Sequence, residues 1–255
     1  MTSFRKTALA GGLLYLLTFI GSIPAAILVG PATVPGYVMT GGSDQQVQLG
    51  AVLELVNALS VFGCAIALFS VVRRVHEGLA VGYLATRLFE AATITVGVVS
   101  ILSVVTLRQQ GVAAGNAAEL SPIGDALASV RNWSMMIGPN MAGFNALMLG
   151  TALYMGRLVP RWLPALGIVG APLLTAFAIG NILGVAQPGT VFHAVAVFPF
   201  FTWELILGLW LTFKGFNQSS PLAIADRAER AARESATSVT TTTSKAAIAA
   251  EGGAA

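Results

Sequence analysis

Long apolar runs alternate along this chain with short polar or basic connections, and six of the runs have the length of a membrane crossing. They cover approximately residues 7–29, 49–72, 79–107, 123–155, 162–185 and 191–213. A bilayer core requires about 20 mostly apolar residues per helix, because backbone N–H and C=O groups find no water there and are satisfied only within the helix. The pattern predicts an all-α fold: a polytopic membrane helix bundle of six transmembrane helices. The fourth run is too long for one straight span, and the fifth carries Pro164 and Pro172. Gly138-Pro139-Asn140 and Ala171-Pro172 are places where a helix would bend, either as a plain kink or so that freed backbone groups line a cavity. Small residues one turn apart, at Gly180 and Gly184 and at Ala142, Ala146 and Gly150, permit close helix contact.

Orientation follows from the basic residues, since cytoplasmic loops retain Lys and Arg. Arg5 and Lys6 precede the first run, Arg73 and Arg74 follow the second, Arg157 and Arg161 separate the fourth from the fifth, and Lys214 follows the sixth. The opposite connections, 30–48, 108–122 and 186–190, contain Arg108 as their single basic residue. Both termini are therefore expected in the cytoplasm, with the protein in the cell membrane. In a rival reading the first run is a cleaved signal peptide, but its apolar stretch is longer than the usual 7 to 15 residues. After Phe216 the character changes. Residues 1–216 form the expected membrane domain and 217–255 a cytoplasmic tail, with a short charged helix over 221–234 along the membrane surface and a disordered Ala/Thr/Ser/Gly-rich end from Ser235.

Composition agrees with a membrane protein: 55% of the 255 residues are hydrophobic and 10% charged. The net charge of +3 is spread over short connections without a dense basic stripe, so nucleic acid is not an expected partner and the lipid bilayer is. Cys64 is the single cysteine, which excludes an intrachain disulfide and reads as a small buried hydrophobe. No internal repeat or signal for an oligomeric state stands out.

Against this background the charges within the runs are the informative residues, because each costs about 2.5–3.5 kcal/mol to insert. At about 1.5 Å per helical residue, Arg87 and Glu204 lie about 14–15 Å from the basic boundary, near the midplane, with Glu90 one turn further. Glu54 and Arg131 lie near the opposite interface. Two tiers result, an inner one of Arg87, Glu90 and Glu204 and an outer one of Glu54 and Arg131. Asn57 shares a helix face with Glu54, and Asn140 lies beyond Arg131, so amides extend a polar path between the tiers. Three carboxylates face two guanidiniums, leaving one carboxylate, Glu204 or Glu90, without a basic partner if all five are enclosed together. Trp162 and Trp210 suit the aromatic belts, and Trp203 beside Glu204 is expected to wall the inner tier.

Other chemistry is missing. There are two histidines, His76 in a basic connection and His193 at the opposite end of the sixth run, separated by about 30 Å of bilayer, so no metal site is expected. There is no Gly-x-Ser-x-Gly elbow and no phosphate-binding loop, and hence no catalytic residue or cofactor to assign. His76 beside Arg73, Arg74 and Glu77 reads as interfacial electrostatics.

The strings RKTALAGGLLYLLTFI, LELVNALSVFGCAIALFSVVRR, EGLAVGYLATRLFEAATITVGVVSILS, RNWSMMIGP, RLVPRWLPALGIVG and FTWELILGLWLTFKGF run from residue 5 to about 216. In them the chain resembles a bacterial integral membrane protein family catalogued as domain of unknown function 4386. The resemblance implies a multi-span membrane protein and no established activity. Two functions compete on the residues. In one, a small solute, ion or proton binds or moves through the Glu/Arg tiers. In the other, the protein is a membrane scaffold or accessory subunit whose buried charges only hold helices together. An enzyme with a Glu base would need water and an acceptor near Glu90. A polar cavity reaching Arg87 would favour the first reading; a dry, fully paired cluster would favour the second.

Overall fold

The computed structural model describes residues 3–40, 42–140, 142–229, 231–232 and 235. The described residues form α1 (Ser3–Val29), a 3₁₀ turn (Gly30–Thr33), α2 (Tyr37–Thr40), α3 (Asp44–Val75), α4 (Glu77–Ala114), α5 (Ala117–Asn140), α6 (Ala142–Met155), α7 (Trp162–Ile182) and α8 (Val191–Phe213), with no strand among them. Among the described residues, five helices are long and apolar enough to cross a membrane: Phe4–Thr33, α3, α4, α7 and α8. The fourth predicted run does not appear as one such helix. It is divided between α5, whose mixed sequence includes Glu119, Asp125 and Arg131, and the apolar but short α6, which at 14 residues spans about 21 Å.

Helices consecutive in sequence pack as neighbours, α1 on α3, α3 on α4, α4 on α5 and α6, α6 on α7 and α7 on α8, and α8 closes the ring on α1. Short connections favour this arrangement by forcing antiparallel neighbours. The tightest is the single residue His76 between α3 and α4, which is extended at φ −159° and caps α4 by accepting a hydrogen bond from Leu79 N at 3.2 Å. Thr190 caps α8 similarly, accepting from His193 N at 3.3 Å. Between α5 and α7 contact is slight, so the ring is loosest at that seam.

Several boundaries differ from expectation. α3 starts at Asp44 and α4 continues to Ala114, giving lengths of 32 and 38 residues, or about 48 and 57 Å against a hydrocarbon core of about 30 Å. Their projecting ends pack with α2 through Tyr37, Val38, Val47 and Val105, which makes burial available beyond the lipid. There Arg108, the single basic residue of the connections at that end, pairs with Asp44 at 2.6 Å and lies over the Tyr37 ring. α7 ends at Ile182, and Gly184 adopts φ +75° in a turn, so Gly180 and Gly184 do not form a helix face. Ala142 and Ala146, by contrast, are buried, and a Cβ on Gly150 would meet Pro164 O at 3.3 Å across the α6–α7 contact.

The charged helix expected over 221–234 is present over 221–229 and is fastened to the bundle. Arg74 Nη1 donates to Asp226 at 2.9 Å, and Ala223 is buried in the main core. Arg5 donates to the α8 carbonyls of Leu211 at 2.8 Å and Thr212 at 2.6 Å, and Asn217 N donates to Leu158 O at 2.7 Å. These contacts gather Arg5, Arg74 and the α6–α7 connection at one end of the bundle. Apart from Ser235, the tail expected to be disordered lies outside the described residues.

Candidate functional site

Midway along α4, Tyr83, Arg87 and Glu90 recur at spacings of four and three, so they share one helix face. That face turns into the ring, and Arg87 is 1% exposed. Its guanidinium reaches two other helices. Nη1 donates to Glu90 Oε2 at 3.1 Å, while Nη2 donates to Tyr15 Oη of α1 at 2.8 Å and to Glu204 Oε1 of α8. The guanidinium also lies 5.0 Å from the centre of the Tyr15 ring, a cation–π contact. Asn145 of α6 donates to Glu90 Oε2 at 3.0 Å. Tyr83 Oη sits 3.4 Å from Tyr15 Oη and donates to Cys64 Sγ at 3.6 Å. Five helices thus meet at one polar knot in an apolar core.

The predicted surplus of carboxylate takes a different form from a lone unpaired group. Glu54 pairs with Arg131, and among the described residues Arg87 is the one cation paired with Glu90 and with Glu204. Those bonds occupy Glu90 Oε2 and Glu204 Oε1. Glu90 Oε1 and Glu204 Oε2 have no protein donor among the described residues.

A cavity of about 350 Å³ reaches this knot. Arg87, Glu90 and Glu204 line it, as do Ser22, Phe201 and His193, which stand nearer the end with few basic residues along their helices. Its walls are mainly apolar, with Phe19, Leu174, Phe177 and Phe200 among them. His193 stacks on Phe177 at 4.6 Å and accepts a hydrogen bond from Gly189 N at 3.1 Å. A second cavity of about 500 Å³, bordered by Arg131, Asn132 and Asn181, lies next to the first, and Met135 and Met136 line both.

The remaining sequence candidates divide. Asn57 and Asn140 line the first cavity, although Asn140 Nδ2 donates back to Met136 O of its own helix beside Pro139. Gly138 brings this bend close to α4, since a Cβ there would overlap Thr93 Oγ1. Glu54 does not line the cavity, and Arg131 borders the second one; the tiers are therefore separate pairings with methionines between them. Trp203 does not wall the inner tier. It is 0% exposed, and a Cβ on Gly167 would come within 2.6 Å of its indole ring, so it points between α7 and α8. At about 100° per residue the two side chains diverge, Trp203 toward Gly167 of α7 and Glu204 toward the cavity.

Sequence reading missed Tyr15, Tyr83, Asn145 and the cavity face of His193. Depth arithmetic alone would have found Tyr15, which is ten residues beyond Arg5 and hence about 15 Å deep, level with Arg87. Tyr83 is one turn before Arg87. Asn145 is the one amide in the run AGFNALMLG.

A ring of apolar, membrane-length helices around a buried charge cluster defines a multi-pass integral membrane protein. The chain belongs to the family described as Domain of unknown function (DUF4386), which matches residues 10–215. No curated protein and no solved structure matches the chain.

Proposed function

We propose that the protein lies in the cell membrane with both termini cytoplasmic, α5 and α6 together making the fourth of six crossings, and binds or translocates a small solute, ion or proton at Arg87, Glu90 and Glu204. The observation that carries this reading is the cavity reaching all three side chains, each of them nine-tenths or more buried. Intramembrane charges that face a cavity mark ligand or ion sites in membrane proteins. The gathering of Arg5, Arg74 and the α6–α7 connection at one end supports the orientation, by the excess of positive charge on cytoplasmic loops. The packing of α1 on α3 and α8, with Tyr15 in the polar knot, supports its retention.

The scaffold reading also has an observation in its favour, since Arg87 ties α1, α4 and α8 together. Thiol accessibility separates the two. In a Cys64→Ser background, Asn57→Cys and Phe201→Cys should react with a membrane-impermeant methanethiosulfonate added from the non-cytoplasmic face, and Val197→Trp should slow both. Unreactive thiols in a folded protein would leave the scaffold reading standing.

A further inference from the structure

The charge and lining of the cavity select among solutes. With both carboxylates ionised, Arg87, Glu90 and Glu204 sum to one negative charge. The other cavity residues add no formal charge with His193 neutral, and Glu54 and Arg131 balance one another outside it. An anion would meet the two free carboxylate oxygens, Glu90 Oε1 and Glu204 Oε2, while Arg87 Nη1 and Nη2 are already engaged and its unpartnered Nε is buried. A dehydrated inorganic cation needs about six oxygen ligands at close range. Here two carboxylates stand at one end of an apolar chamber, and among the described residues no group of three or more His, Cys, Asp or Glu is placed to hold a metal ion. A proton needs no chamber, yet the volume of about 350 Å³ lies within the range of small-ligand pockets, roughly 300–1,000 Å³. The walls carry Phe177, Phe200 and Phe201 within reach of that space, and aromatic faces attract cations.

We propose that the cavity binds a monovalent organic cation, with its ammonium group at Glu90 Oε1 and Glu204 Oε2 and its apolar body among Leu174, Phe177, Phe200 and Phe201. This rests on the reading of the cavity as a solute site and names the class of solute. Arg87 then has a second use besides pairing. It holds one oxygen of each carboxylate and leaves the other to the ligand, so that the two acids act as one singly charged receptor. A neutral or anionic solute of the same shape gains the apolar contacts and lacks the charge match.

The experiment uses the full chain in lipid nanodiscs, with empty nanodiscs subtracted for partitioning. Probes are benzyltrimethylammonium, its uncharged carbon isostere neopentylbenzene, and phenylacetate. Benzyltrimethylammonium should bind saturably and at least about tenfold more tightly than the other two. Its affinity should fall roughly 10- to 100-fold in Glu204→Gln and in Glu90→Gln, with the affinity for neopentylbenzene unchanged. Val197→Trp, which obstructs the cavity without touching a charge, should abolish binding of the cation, and the unchanged neopentylbenzene affinity of the two charge variants guards against loss through misfolding. Equal or tighter binding of neopentylbenzene or phenylacetate, lost in Val197→Trp, overturns the cation assignment and leaves the solute site standing. Absence of saturable binding for all three, with Asn57→Cys reactive, overturns the cation assignment alone. The same absence with Asn57→Cys unreactive overturns both.

Discussion

Replacing Arg87 by Met removes the centre of the polar knot while keeping most of its bulk. Three oxygens lose a donor: Glu90 Oε2 at 3.1 Å, Tyr15 Oη at 2.8 Å and Glu204 Oε1. The hydrogen bonds are not independent, so their separate worth is not summed. What dominates is the pair of carboxylates left buried without a cation, and loss of one partner from a buried ion pair costs about 3–5 kcal/mol. A change of 1 kcal/mol moves Tm by about 2–4 °C for a chain of this size, so Arg87→Met should lower Tm by about 6–20 °C. The measurement is thermal unfolding of the purified protein in one detergent, read by tryptophan fluorescence. Adding Glu90→Gln and Glu204→Gln to Arg87→Met should restore most of the loss, because neutral groups of similar volume have little desolvation to offset. Two results would refute this reasoning. One is an Arg87→Met protein within about 2 °C of the parent, and the other is a triple variant no more stable than the single one.

The second ion pair allows a parallel test. Arg131→Met strands Glu54, whose Oε2 already has no hydrogen bond, and should lower Tm by a similar 6–20 °C or so, while Glu54→Leu with Arg131→Met should match or exceed the parent in the same assay. Alkaline stability should depend on Tyr37, which lies outside the spans and donates to Asp44 Oδ1 at 3.0 Å. Burial, reinforced by the Asp44 carboxylate, pushes its hydroxyl from 10.0 up to about 12. The folded state therefore holds this proton more tightly than the unfolded chain, so its contribution is complete below pH 10.0 and lost as pH rises toward 12. Tm measured across this window should fall less steeply in Tyr37→Phe than in the parent, and equal slopes would remove Tyr37 from the account.

Much of the bundle was legible because the bilayer imposes a one-dimensional rule: a crossing requires a run of apolar residues of known length, and departures from it are visible one residue at a time. Glu54, Arg87, Glu90, Arg131 and Glu204 stood out for that reason, and depth arithmetic put Arg87 and Glu204 at one level on different helices. Family membership could likewise be read from strings that span most of the chain. The ends of helices were less legible. At the helix ends near Asp44 and Ala114, tertiary burial around Tyr37 decides how far a helix continues.

Partnership was decided by the tertiary structure. Sequence gives the height of a side chain and, along one helix, its phase, but the rotation of one helix against another is set by packing. That rotation sends Trp203 toward Gly167 and Glu204 into the cavity. It also brings Tyr15 and Asn145 to the knot. The count of three carboxylates to two guanidiniums was fixed by the chain; the sharing of Arg87 between Glu90 and Glu204 depends on three helices converging at one depth, which is a property of the closed ring.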